Sequence, residues 1–195
     1  MTARLAFDRV ACLRGDRLLF EGLSFALGAG NAALLTGPNG AGKSSLMRLA
    51  AGLLVPSAGK IDLHGRIAHA GEAPALDMRL PLGRALGFWA GIDGSEEGAV
   101  RGALERMGIA NLVEVPVHML STGQRKRATL ARILASRAEI WLLDEPGNGL
   151  DTASLGRLTE AMAVHRAGGG IVLLATHQPL DLPDALPIVL GRTTP

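Results

Sequence analysis

The chain has one cysteine, no tyrosine, two tryptophans and four phenylalanines among its 195 residues. A lone Cys12 excludes an internal disulfide framework and cannot by itself build a metal site. Scarce aromatic rings, set against 26 glycines, leave backbone as the main material for touching a ligand. Long apolar runs are also missing. Asn31-Ala-Ala-Leu-Leu-Thr36 and Ile171-Val-Leu-Leu-Ala-Thr176 fall far short of the ~20 residues a membrane helix requires. No charge of one sign dominates: 20 Lys and Arg against 18 Asp and Glu leave +2, which argues against coating nucleic acid or a polybasic membrane patch. Met1 to Val10 alternates polar and apolar residues, unlike a secretory signal, so a soluble, cytosolic chain is expected. What is present is core material: 48% hydrophobic and 19% charged residues, in a length suited to one domain of 1–195.

The pattern reads as strands alternating with helices. Leu5–Val10 and Leu18–Leu27 alternate loosely at period two, as half-buried antiparallel strands do. Ala32–Thr36 suits a buried parallel strand, and Lys43–Gly52 a helix; Gly59–Gly71 has room for one or two short strands. Leu82, Ala85, Leu86 and Trp89 recur at helical spacing, as do Val100, Ala103, Leu104 and Met107. A further helix is expected from about Gly123 to Arg137, a strand over Glu139–Leu143 and a helix over Thr152–Arg166. Gly168-Gly-Gly170 then stops the chain before a strand over Ile171–Ala175. This order predicts an α/β fold with a parallel core sheet, an N-terminal antiparallel patch and a helical insertion over about 72–138.

Gly37-Pro38-Asn39-Gly40-Ala41-Gly42-Lys43-Ser44, followed by Ser45, fits G-x-x-x-x-G-K-[ST] between a predicted strand and a predicted helix. Glycines there let successive N–H groups turn inward around a phosphate, and the helix points its positive end at the same place. Lys43 is placed to reach β- and γ-phosphates, and the Ser44 hydroxyl to ligate Mg²⁺. Ile140-Trp-Leu-Leu-Asp144-Glu145 ends a strand in two acids. Asp144 is placed to hold the metal through its water shell, and Glu145 to polarise an attacking water. The predicted fold is therefore a P-loop NTPase with a nucleoside triphosphate and Mg²⁺ as ligands.

Leu120-Ser121-Thr122-Gly123-Gln124, at the head of a helix, resembles the signature of ATP-binding-cassette (ABC) ATPases, with Thr122 where the family usually has glycine. The resemblance covers nearly the whole chain and implies an ABC-type nucleotide-binding domain. Asn148-Gly-Leu-Asp151 resembles the loop that contacts a second subunit, although Asp151 can equally be a helix N-cap, and both can hold at once. Thr176-His177 resembles the switch histidine at the γ-phosphate; His64, His69, His118 and His165 have no such context and read as surface or packing residues. The family stacks adenine on an aromatic ring, for which this chain offers Arg14, a planar cation that could lie flat on the base. The family's glutamine near Mg²⁺ is missing, and Glu72 is the nearest polar substitute.

The resemblance further implies that one cassette leaves its signature far from its own phosphate loop. Two chains would then pair head to tail as a homodimer, each ATP lying against Leu120–Gln124 of the other chain. Local phrases such as Arg17-Leu-Leu-Phe-Glu-Gly-Leu-Ser-Phe25 and Ile140-Trp-Leu-Leu-Asp-Glu-Pro146 are most similar to ATP-binding subunits of the haem exporter in cytochrome c maturation. That implies a transport-coupled ATPase on the cytoplasmic face of the inner membrane, docked on integral membrane subunits through about Leu82–Met107. Neither nucleic acid nor direct haem binding is expected. An ATPase subunit for another small-molecule transporter, or a soluble nucleotide-gated clamp, are the alternatives.

Overall fold

The computed structural model describes residues 2–71, 74–178 and 180–191. The chain opens with two antiparallel strands, β1 (Arg4–Arg14) and β2 (Arg17–Gly28), then β3 (Ala32–Thr36) and helix α1 (Lys43–Ala50). The glycine-rich stretch that follows holds two strands, β4 (Ala58–His64) and β5 (Ile67–Ala70), which go to different sheets. Helices α2 (Leu82–Asp93), α3 (Ala99–Arg106) and α4 (Thr122–Ala135) come next, with short 3-10 turns at Ala110–Leu112 and Val117–Met119. The chain then runs through β6 (Ile140–Asp144), α5 (Thr152–Ala167), β7 (Ile171–Ala175) and β8 (Leu186–Val189).

β2, β1 and β4 form an antiparallel sheet; β5, β6, β7, β3 and β8 lie side by side in a second sheet, all parallel. β6 and β7 are buried along their whole length, which is why they read as unbroken apolar runs and not as alternation. Their successive side chains still point to opposite faces. Ile140, Leu142, Ile171 and Leu173 join α1 and the antiparallel sheet in one core. Trp141, Leu143, Val172 and Leu174 join the helical side in the other.

Several boundaries differ from expectation: β1 runs on to Arg14, beyond the expected Val10. The first helix ends at Ala50, because Gly52 adopts φ 70, outside the helical region. The strand before the two acids runs to Asp144, since Asp144 still pairs with Ala175. β8 has no counterpart in the sequence pattern. It is a four-residue edge strand, mostly exposed, with Pro187 opposite Leu34, and neither feature leaves an apolar run to recognise.

The helical region is tied to the sheet through Arg132 of α4. Its guanidinium lies 5.0 Å over the Trp89 ring of α2 and donates to the His69 carbonyl of β5. On the far side of the same core, His165 stacks on Trp141 with ring centroids 3.9 Å apart and planes at 9°. Burial holds both His165 and His69 below the usual histidine pKa. The folded state therefore favours their neutral forms. Their contribution is complete above the unfolded-state value of ~6.5 and is lost as pH falls from there through the lower folded-state value. Thermal denaturation should show a falling midpoint between about pH 7.5 and 5, and His165→Phe should remove part of that fall. Parallel curves for the two proteins would refute the assignment to His165.

Candidate functional site

Because β5, β6, β7 and β3 are parallel, their C-terminal ends open on one edge, and there the chemistry-bearing residues gather. From Thr36 the chain enters the loop 37–42 and turns into α1. Gly37, Gly40 and Gly42 take φ of 144°, 78° and 104°, all in the region closed to most side chains. Gly42 is the N-cap of α1 and supplies no side-chain cap, so the first amides of the helix remain available to an anion. Space as well as φ requires glycine at position 42, where a Cβ would lie 3.1 Å from Leu19 Cβ and 3.2 Å from Phe20 Cδ1. Lys43, only 9% exposed, folds back so that Nζ donates to the carbonyls of Gly37 (2.8 Å) and Pro38 (3.3 Å). The ammonium is thus stored on the loop that a phosphate would occupy.

Across the opening stand the acids. Asp144 is buried at the last position of β6. Glu145 follows with φ 48, an unusual conformation for a residue with a side chain, held by its N–H donating to the Ala175 carbonyl at 2.8 Å. Its carboxylate meets His177, with Nδ1 of the ring 2.9 Å from Oε2 and the His177 N–H donating to the same oxygen at 3.4 Å. Residues 32 positions apart in the chain form one unit.

Ser121 caps α4 in a reciprocal box. Its Oγ accepts from the Gln124 N–H at 3.2 Å, while Gln124 Oε1 accepts from the Ser121 N–H at 2.8 Å. Ser121 is exposed, and its hydroxyl proton is still available to an acceptor. A Cβ at Gly123 would come within 3.2 Å of the Gly149 carbonyl, so glycine is needed there for packing on the 148–151 loop. Thr122 is exposed, which explains why a side chain is accepted at this position. Asp151 caps α5, its carboxylate accepting from Ser154 N–H at 2.7 Å, and that hydrogen bond holds its pKa below the usual range.

A cleft of about 730 Å³ brings together the glycine-rich loop, the two acids and one face of α4, while Ser121, Asp151 and His177 lie outside its lining. Asn39, Gly40 and Lys43–Ser45 line one wall, Asp144, Glu145 and Asn148 another, with Gly71 and Pro74 between them. Arg14 and Leu19 of the β1–β2 hairpin border it. Glu72 lies outside the described residues. Thr122, Arg125, Lys126 and Thr129 of α4 also line this cleft within the same chain. Their spacing of three and four residues is one helical face, a signal the sequence carries but apolar periodicity does not detect. No cluster of three or more His, Cys, Asp or Glu residues among the described residues could hold a metal by itself. Ser44 and Asp144 are hard oxygen donors on the cleft wall, a set that fits Mg²⁺ shared with substrate phosphates.

Residues 20–148 match the ABC transporter family. The chain is 58% identical over 191 residues, 98% of each chain, to the cytochrome c biogenesis ATP-binding export protein CcmA of Sphingopyxis alaskensis. It is 57% identical to the CcmA of Zymomonas mobilis, over 93% of this chain and 82% of that one. In fold it is similar to an ABC transporter ATP-binding protein from Pyrococcus furiosus, with a TM-score of 0.84 at 24% identity, covering 96% and 97% of the two chains. A phosphate loop, a strand ending in two acids and a capped signature helix around one cleft, together with these matches, place the chain in the ABC transporter family, among the ATP-binding subunits of the cytochrome c biogenesis type.

Proposed function

We propose that this chain is the ATP-hydrolysing subunit of a haem exporter serving c-type cytochrome maturation. The observation that carries the reading is the near full-length identity to proteins named for cytochrome c biogenesis export. The cleft supplies the means. The amides of Gly37–Ser45 cradle the phosphates, and Lys43 leaves the Gly37 and Pro38 carbonyls to reach the β- and γ-phosphates. Ser44 and Asp144 would hold Mg²⁺, which would neutralise phosphate charge when bound. Glu145 takes the proton of a water as its oxygen attacks the γ-phosphorus and the bond to the β-γ bridging oxygen breaks, leaving ADP and phosphate. His177 fixes the Glu145 carboxylate. With Nδ1–H committed to Glu145, its Nε2 can donate to a γ-phosphate oxygen only as imidazolium. Arg14 and Leu19 border the base end, and Glu72 takes the place of the family's glutamine.

The site closes between two copies of the chain. Ser121 is exposed and has a hydroxyl proton to offer, and the Thr122 and Gly123 amides complete an anion-binding helix tip. In the homodimer Leu120–Gln124 of one copy meets the γ-phosphate held by the other, with Asp151 at the contact. Residues 1–195 act as one ABC unit with the helical insertion at about 72–138. No helix among the described residues is long and apolar enough to cross a membrane. In this reading the chain is coupled to integral membrane subunits. These dock from the cytoplasmic face on α2, where Phe88 is 61% and Ile92 62% exposed. Haem stays with those partners. Purification of the tagged chain from detergent-solubilised membranes tests this. Recovery of integral haem-handling subunits is the expected result; their absence would favour a soluble clamp, and recovery of a different permease would favour another cargo.

A further inference from the structure

Behind the phosphate loop lies the end of β8, outside the 20–148 stretch that matches the family. Leu190 is 3% exposed, and its N–H donates to the carbonyl of Thr36, the last residue of β3, at 2.9 Å. Its own carbonyl oxygen sits 2.5 Å from where a Cβ on Gly37 would be. Gly191, at φ 81, also leaves little room: a Cβ there would lie 3.2 Å from Pro38 Cδ and 3.3 Å from Ala41 Cβ. The turn 37–41 is therefore held from both sides. Inside, Lys43 Nζ bonds the Gly37 and Pro38 carbonyls, and the Ala41 N–H donates to Pro38 at 3.2 Å. Outside, backbone of Leu190 and Gly191 presses on it with no side chain between.

The geometry points to Leu190 and Gly191 as positioning residues for phosphate binding: the end of β8 is a backstop that keeps Gly37–Ala41 in the curve that receives a phosphate. This rests on the phosphate-loop reading above. β8 is a short edge strand, paired with β3 alone and anchored by Ile188 and Leu190 in the core, with Val189 50% exposed and no N–H at Pro187. Loop and strand end therefore support each other. By reciprocity, a nucleotide that orders the loop must also tighten β8.

The test uses the full chain with Mg-ATP as the probe. Gly191→Ala should raise the Kd for ATP by more than about 3-fold while kcat at saturating ATP stays within about 2-fold. Gly169→Ala is the control for backbone strain alone, because Gly169 has φ 85 but only Ala29 Cβ nearby, at 3.8 Å. It should leave the Kd unchanged. In the unaltered protein, hydrogen exchange at the Leu190 amide should slow when Mg-ATP is added, a readout that survives if Gly191→Ala does not fold. A folded Gly191→Ala protein with wild-type Kd, or Leu190 exchange indifferent to nucleotide, overturns the proposal. If the unaltered chain binds no ATP at all, the phosphate-loop reading fails first and the two failures are told apart.

Discussion

Glu145→Gln should stop ATP turnover while leaving nucleotide bound. A general base contributes typically 10²–10⁴-fold to rate, and a loss of that size is expected in phosphate release. The amide keeps the shape of the carboxylate and can still accept from the His177 N–H, so the site should keep its form. What it cannot do is take a proton from water. In the proposed homodimer, uncleaved ATP should hold two chains together, and size-exclusion chromatography with Mg-ATP should show a dimer that the unaltered protein forms only transiently. The φ of 48 at Glu145 gives the substitution a second reading, since backbone strain here persists only if the neighbouring contacts hold it. Circular dichroism and melting should therefore match the parent. Phosphate release unchanged within about 3-fold would remove Glu145 from the role of base.

Lys43→Ala acts one step earlier, on binding. The ammonium is nearly buried and bonds two loop carbonyls before any ligand arrives, so its removal costs the loop two contacts as well as a cation for the phosphates. Hydrogen bonds to a charged partner contribute about 1.5–3 kcal/mol each, so the Kd for ATP should rise roughly 100-fold. Titration with a fluorescent ATP analogue measures this directly. Unchanged affinity would mean that the loop amides alone carry the phosphate. Together the two variants separate binding from chemistry: one holds ATP without cleaving it, the other fails to hold it.

Much of this site is legible in the amino-acid sequence because its parts are local. Three glycines, a lysine and a serine follow one strand, two acids end another, and Thr-His ends a third. Each works through backbone conformation or strand position, which neighbours in sequence determine. The departures are visible there as well, in Thr122 and in the missing aromatic. Less visible is why they are tolerated. Thr122 is exposed to solvent, while a Cβ on Gly123 would lie 3.2 Å from the Gly149 carbonyl, and only folding brings those residues together.

Sequence alone determined the order of the main core elements up to β7, the parallel character of the buried strands, and where the glycine-rich loop and the two strand-end acids fall. Hydrophobic period, glycine placement and strand ends are properties of short windows, and short windows are what a sequence displays. Tertiary structure decided the rest. It sent β4 and β5 to different sheets, paired His177 with Glu145 and brought the polar face of α4 to the cleft. It also set β8 against the phosphate loop. Each of these depends on contacts between segments far apart in the chain, through exposed or polar residues that carry no periodic apolar signal of their own.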